Sequence, residues 1–257
     1  MSRPRRIGLI VPSSNTTMET ELPALLRRRE RVRPEDSFTF HAARMRMRHV
    51  TPEELAAMNA QTGRAAGELA DLRPDVVATA CLVAIMAQGP GHHCAAEAQI
   101  AEALAAEGAT APVVSSAGAL VAALGALGAR RIAIVTPYLK PLTERVVAYL
   151  EDARVEVHDA LSLEVADNRA VAALDPADLE RHWRRLDLTG CDALVLSACV
   201  QMPSLPAIDA VEQASGLPTL SAATATAWAL LRALELEPAI PQAGSLLASG
   251  ARTGAGA

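Results

Sequence analysis

The chain has 257 residues, of which 51% are apolar and only 2% aromatic, and it carries a net charge of −5. Such a length fits one large α/β domain or two smaller ones, with a core built from Ala, Leu, Val and Ile. The acidic balance, with no basic stripe interleaved with aromatics, argues against nucleic acid as a partner, and no apolar run reaches the roughly 18 residues of a membrane span.

The basic start Met1–Arg6 is followed by an apolar stretch running only from Ile7 to Val11. That reads as a strand rather than a signal-peptide core. The expected compartment is the cytoplasm, where Cys81, Cys94, Cys191 and Cys199 are expected as free thiols. The Arg-rich stretch Arg27–Arg33 reads as a solvated helix end and loop.

Short β-branched runs alternate with longer Ala/Leu-rich segments. Strands are predicted over Arg6–Val11, Ser37–Ala43, Asp75–Ala80 and Ala111–Ser115, and again over Arg131–Thr136, Arg154–Asp159, Asp192–Ala198 and Leu217–Leu220. Between them, Thr51-Pro-Glu-Glu54 opens a helix with a cap, a proline at the first position and early acids. Another helix runs from Ser116 to Leu127 and stops at Gly128. Alternation of this kind implies mostly parallel sheet with crossover helices, and ligands then sit at the carboxyl ends of the strands.

The two sets of strands form a repeat. Ile7-Gly-Leu-Ile-Val-Pro12 parallels Ile132-Ala-Ile-Val-Thr-Pro137, and Val76-Val-Ala-Thr-Ala-Cys81 parallels Leu194-Val-Leu-Ser-Ala-Cys199. The expected fold is therefore α/β with two similar lobes. Each is a mostly parallel four-stranded sheet flanked by helices, and a pseudo-twofold axis relates them with the active site between. The division is expected at residues 1–129 and 130–240, with the last helix able to pack back on the first lobe. Residues 241–257, rich in Gly, Ala and Ser, are expected to be a loose tail.

Cys81 and Cys199 each end an apolar strand, where the free N–H groups of a following helix point outward. Such donors lower a thiol pKa and can also hold a carboxylate or a developing oxyanion. A lone cysteine there reads as a small core thiol; two in matching positions read as chemistry. Cys191 lies at the other end of its strand and reads as structural. His92, His93 and Cys94 are consecutive, which does not match metal-ligand spacing, so no metal is expected.

After the first strand, Val11-Pro-Ser-Ser-Asn-Thr-Thr17 offers polar side chains and helix N–H groups suited to a carboxylate or phosphate, or simply to capping the helix. Neither Gly-rich phosphate motif occurs here, which counts against nucleotides. The matching loop of the second half supplies Tyr138, and Asn168 sits between a strand and a helix. Ser13 and Ser14 form no nucleophile elbow, and no Ser–His–Asp arrangement is visible.

Three segments resemble the maleate cis–trans isomerases of the aspartate/glutamate racemase superfamily: Ile7–Glu19, Ala80–Met86 and Val135–Tyr138. The resemblance spans residues 5–233. It implies Cys81 as nucleophile and Cys199 as proton donor and acceptor. It places substrate-binding side chains at Asn15, Tyr138 and Asn168, and backbone donors at Leu82, Val83 and Val200. The implied reaction is isomerisation of maleate to fumarate with no cofactor: thiolate addition to the double bond, rotation about the central bond, then elimination. The expected partners are a small dicarboxylate and a second copy of the chain in a homodimer. A racemase or decarboxylase of a related acid, using the same cysteines, is the alternative reading. A racemase needs a partner for an amino group, which the apolar Leu82–Met86 stretch lacks. A non-catalytic sensor of small acids is a third, against which the two cysteines argue.

Overall fold

A computed structural model describes residues 3–249. Eight strands form two separate sheets, and every strand pair in both is parallel. The first sheet contains β1 (Arg5–Pro12), β2 (Phe38–Met45), β3 (Val76–Thr79) and β4 (Val113–Ser115) in the order β2-β1-β3-β4. The second contains β5 (Arg131–Thr136), β6 (Glu156–Ser162), β7 (Ala193–Ser197) and β8 (Thr219–Ser221) in the order β6-β5-β7-β8. The two orders are the same, as the sequence repeat requires. Strands β3 and β7 are buried along their whole length, because parallel strands carry helices on both faces and read as continuous apolar runs.

Strand ends shift where local geometry intervenes. The strand predicted from Arg154 begins at Glu156. Arg154 has φ 64°, and Val155 N–H bonds back to Leu150 O, so both residues close the preceding helix instead. Helix Pro52–Asn59 starts as predicted, with the Thr51 hydroxyl accepting from Glu54 N–H.

Strands β4 and β8 each lead straight into a helix through a serine cap. Ser115 Oγ accepts from Gly118 N–H at 2.9 Å, and Ser221 and Thr224 bond each other reciprocally. The two helices, Ser116–Ala126 and Ala222–Ala233, pack on each other more extensively than any other helix pair. Their Ala- and Gly-rich faces allow that close approach. Helix Ala222–Ala233 also packs on helix Met18–Val32 of the first half, and its only exposed residue is Arg232.

The expectation of a loose tail from Pro241 is wrong for residues 241–249. Ala243, Leu246 and Leu247 are buried, and Ser245–Leu247 forms a turn of 3-10 helix. Polar anchors from elsewhere fix this segment. Asp209 accepts from Gly244 N–H and Glu212 from Ser245 N–H. A Cβ at Gly244 (φ 78°) would lie 2.6 Å from Thr219 O, so only glycine lets the chain pass there. Residues 250–257 lie outside the described residues. The Arg27–Arg33 stretch is likewise more than a solvated end. Arg29 is 3% exposed, pairs with Asp36 at 2.7 Å and donates to the carbonyls of Glu237 and Ala239.

Candidate functional site

Cys81 follows β3 and Cys199 follows β7, so each lies at the carboxyl end of an inner strand of its sheet. Both are buried, at 8% and 5% exposure, and all four cysteines are free thiols. They are near enough that the charge of Cys199 raises the Cys81 pKa. The Tyr138 phenol, 3% exposed, donates to Ala198 O at 3.3 Å, one residue before Cys199, and the charge of either thiolate raises its pKa. Thus the fold brings together three of the residues expected at the site: one from the first half of the chain and two from the second.

Cys81 has φ 122° and ψ 72°, a region that L-residues rarely occupy and that costs on the order of 1–3 kcal/mol. This sharp turn carries the chain from the end of β3, through Ala80 and Cys81, into helix Leu82–Met86. Leu82 and Val83 therefore present the first two N–H groups of that helix, which have no acceptor inside it. The following N–H, of Ala84, donates to the Cys81 carbonyl at 3.1 Å and also opposes the rise of the thiol pKa. At Cys199 the main-chain donors are Gln201, whose nitrogen is 3.3 Å from Sγ, and Met202. Val200, 2% exposed, lies between Cys199 and Gln201 in this turn.

The expected lowering of the thiol pKa values is not what the site produces. Burial pushes Cys81 up to about 12, and main-chain donation offsets only part of that. Burial also raises Cys199. Desolvation of a thiolate outweighs a few neutral donors. Both thiols are accordingly protonated at neutral pH. The space opening onto Cys81 is about 40 Å³, lined by first-half residues including Met45, Met58, Thr79 and Ile85. That volume is enough for a few water molecules.

Asn15, 1% exposed, caps the helix after β1: its Oδ1 accepts from Met18 N–H at 3.0 Å. Capping and ligand binding do not compete here, because the amide nitrogen remains as a donor. Arg44 holds the same loop from outside by donating to the carbonyls of Ser13 and Asn15. Asn168 comes from the second half, yet its Nδ2 donates to Ser14 Oγ at 2.8 Å. Its neighbour Asp167 forms an isolated bridge with His49. The loops carrying the two asparagines therefore touch directly.

Two further buried polar residues join the halves here, and the sequence reading missed both. Gln201 bonds Ser14, Thr16, Thr17 and Asn168. Glu21 bonds the chain that follows Cys199. A glutamine two positions after a strand-end cysteine, in an otherwise apolar run, is the signal that was there to use. His93, by contrast, is occupied by Tyr149, with its Nδ1 2.5 Å from the phenol oxygen. Cys94 is exposed and Cys191 buried, and no cluster of three or more His, Cys, Asp or Glu able to hold a metal occurs among the described residues. Nor is any described helix long and apolar enough to cross a membrane.

Comparison with known proteins gives this arrangement a family. A family model described as arylmalonate decarboxylase matches residues 7–247. A maleate isomerase of Geobacillus stearothermophilus is 54% identical over 247 residues, which is 96% of this chain and 98% of that protein. The chain belongs to the maleate isomerase family. Crystal structures of family members superpose closely on it. A cysteine-to-alanine variant of the maleate isomerase from Pseudomonas putida S16, crystallised with maleate, is 50% identical with a TM-score of 0.95, covering 96% of this chain and 99% of that one. A cysteine-to-serine variant of the Nocardia farcinica maleate cis–trans isomerase is 53% identical with a TM-score of 0.92, covering 95% and 98%. That protein holds a covalently bound succinylcysteine intermediate. The two-lobed α/β fold of this maleate isomerase family member is thus that of its relatives.

Proposed function

We propose that this chain converts maleate to fumarate, with Cys81 as nucleophile and Cys199 as proton donor and acceptor. The observation carrying this reading is the meeting of Cys81, Cys199 and Tyr138 at the ends of corresponding strands, inside a fold whose relatives include one crystallised with maleate.

The double bond of maleate must lose its double-bond character before it can rotate. The Cys81 thiolate adds to one alkene carbon, and the electron pair moves toward the far carboxylate as an enediolate-like species. The amide nitrogens of Asn15 and Asn168, the Tyr138 hydroxyl and the N–H groups of Leu82, Val83 and Val200 are neutral donors for the two carboxylates. Neutral donors suit a dianionic substrate beside a thiolate. Protonation of the carbanion by Cys199 S–H gives a saturated adduct, the chemical type named in the Nocardia relative. The central bond is now single and turns. Cys199 thiolate then takes the proton back, the C–S bond to Cys81 breaks, and fumarate forms. Proton and electron counts close within the two cysteines, once one thiol has ionised before substrate is bound.

Proton NMR of purified protein with maleate, under reducing conditions, tests the reading. The fumarate singlet should replace that of maleate, and the absence of turnover would overturn the proposal.

A further inference from the structure

We propose that Gln201 is a positioning residue that sets the spacing between the Asn15 loop, Asn168 and Cys199, an inference that rests on the isomerase reading above. Gln201 is 2% exposed, and every polar valence of its amide is used. Its Oε1 accepts from Thr16 N–H at 3.0 Å and Thr17 N–H at 3.4 Å, on either side of which lie Asn15 and the helix it caps. Its Nε2 donates to Ser14 O and to Asn168 O, both at 2.9 Å. The Gln201 carbonyl accepts from Thr17 Oγ1 at 2.7 Å, and its main-chain N–H donates to Cys199 Sγ at 3.3 Å.

One side chain therefore ties the residue before Asn15 and the two after it to Asn168, while its own backbone holds the Cys199 sulfur. No other common side chain of this length does all of this. Glutamate accepts from Thr16 and Thr17 but turns an oxygen toward two carbonyls. Methionine fills the space and makes none of the bonds. Asparagine is one carbon short. A fully satisfied buried polar network of this kind rigidifies what it joins, and here the joined parts are two proposed carboxylate donors and a proposed proton carrier. The geometry needed to bind a four-carbon diacid at both ends is thus set by a residue that touches neither end.

The test is Gln201→Met, assayed for maleate turnover and, by calorimetry, for binding of succinate, the saturated four-carbon diacid. Succinate Kd and maleate KM should each rise at least tenfold, with a smaller fall in kcat. Values of Kd and KM within threefold of wild type would overturn the proposal, as would a fall in kcat alone that matches the loss of folded protein. If Gln201→Met does not fold, Thr17→Val removes one bond to Gln201 at nearly constant shape. It should raise KM severalfold, and an unchanged KM overturns the proposal. Wild-type protein that binds succinate but leaves maleate unchanged sinks the isomerase reading alone, and the Kd comparison still decides the role of Gln201. Wild-type protein that binds no succinate and turns over no maleate sinks both.

Discussion

Glu21 Oε1 lies 2.6 Å from the main-chain nitrogen of Ser204, so a carboxylate on the first helix of one lobe caps the chain that follows Cys199 in the other. The same oxygen accepts from Leu205 N–H at 2.6 Å, and Oε2 accepts from Ser204 Oγ. Burial raises the Glu21 pKa, and the main-chain donors oppose it only in part. The folded protein then holds this proton more tightly than the unfolded chain does. The stabilisation is fully present below about pH 4.5 and is lost as pH rises through the folded-state value. Glu21→Gln keeps the acceptor and removes the titration. Chemical denaturation across the weakly acidic range should show wild type losing stability relative to this variant as pH increases. Glu21→Leu strands two buried N–H groups and should cost about 2–5 kcal/mol at neutral pH.

Reactivity of the free Cys81 thiol should follow its raised pKa. A value of about 12 leaves about one thiol in ten thousand ionised at pH 8. Alkylation by iodoacetamide, followed at Cys81 by mass spectrometry, should be slow near neutrality and rise about tenfold per pH unit with no plateau below pH 10. A plateau near pH 8 would mean that the main-chain donors, not burial, control the thiol. The same shift predicts that stability falls as pH climbs from about 9 toward 12, since the unfolded chain ionises first.

Removing either cysteine should have unequal effects on maleate turnover. Cys81→Ala deletes the proposed nucleophile and should abolish fumarate formation. Cys199→Ser keeps a weaker proton donor and should lower kcat by about 10²- to 10⁴-fold. Quantitative NMR of both variants checks this, and near-normal turnover by Cys81→Ala would remove the covalent route.

Arg29→Leu should loosen the C-terminal segment and the core together. It leaves Asp36, 5% exposed, with only Arg5 as cationic partner and frees the carbonyls of Glu237 and Ala239. Breaking a buried pair from one side costs about 3–5 kcal/mol. Calorimetry should show a lowered Tm, and limited proteolysis should find new cleavage around residues 237–249.

The strands were legible because parallel sheet writes its burial as short apolar runs, and all eight lie where such runs occur. The polar loop Val11–Thr17 and Tyr138 were visible just after strands of matching sequence, and the family resemblance singled out Asn15 within that loop. Gln201 and Glu21 were not, because a single polar residue in a turn or on a helix face has no period to read. The segment 241–249 was misjudged from composition, since its order comes from Asp209 and Glu212 far back in the chain. The thiol pKa values were misjudged for a related reason: sequence reveals the nearby N–H donors but not the depth of burial that outweighs them.

The pairing of helix Ser116–Ala126 with helix Ala222–Ala233 bears on how a small molecule gets in and out. The two halves are laced through their cores, with Glu21 and Gln201 as rivets beside the site. They cannot swing apart like jaws without tearing buried helix contacts. Passage of a small molecule is then left to local movement of surface loops, such as the one around His49, which an isolated bridge joins to Asp167 of the opposite half. In such a frame the speed of exchange is a property of a few residues of loop, not of the hinge between two halves.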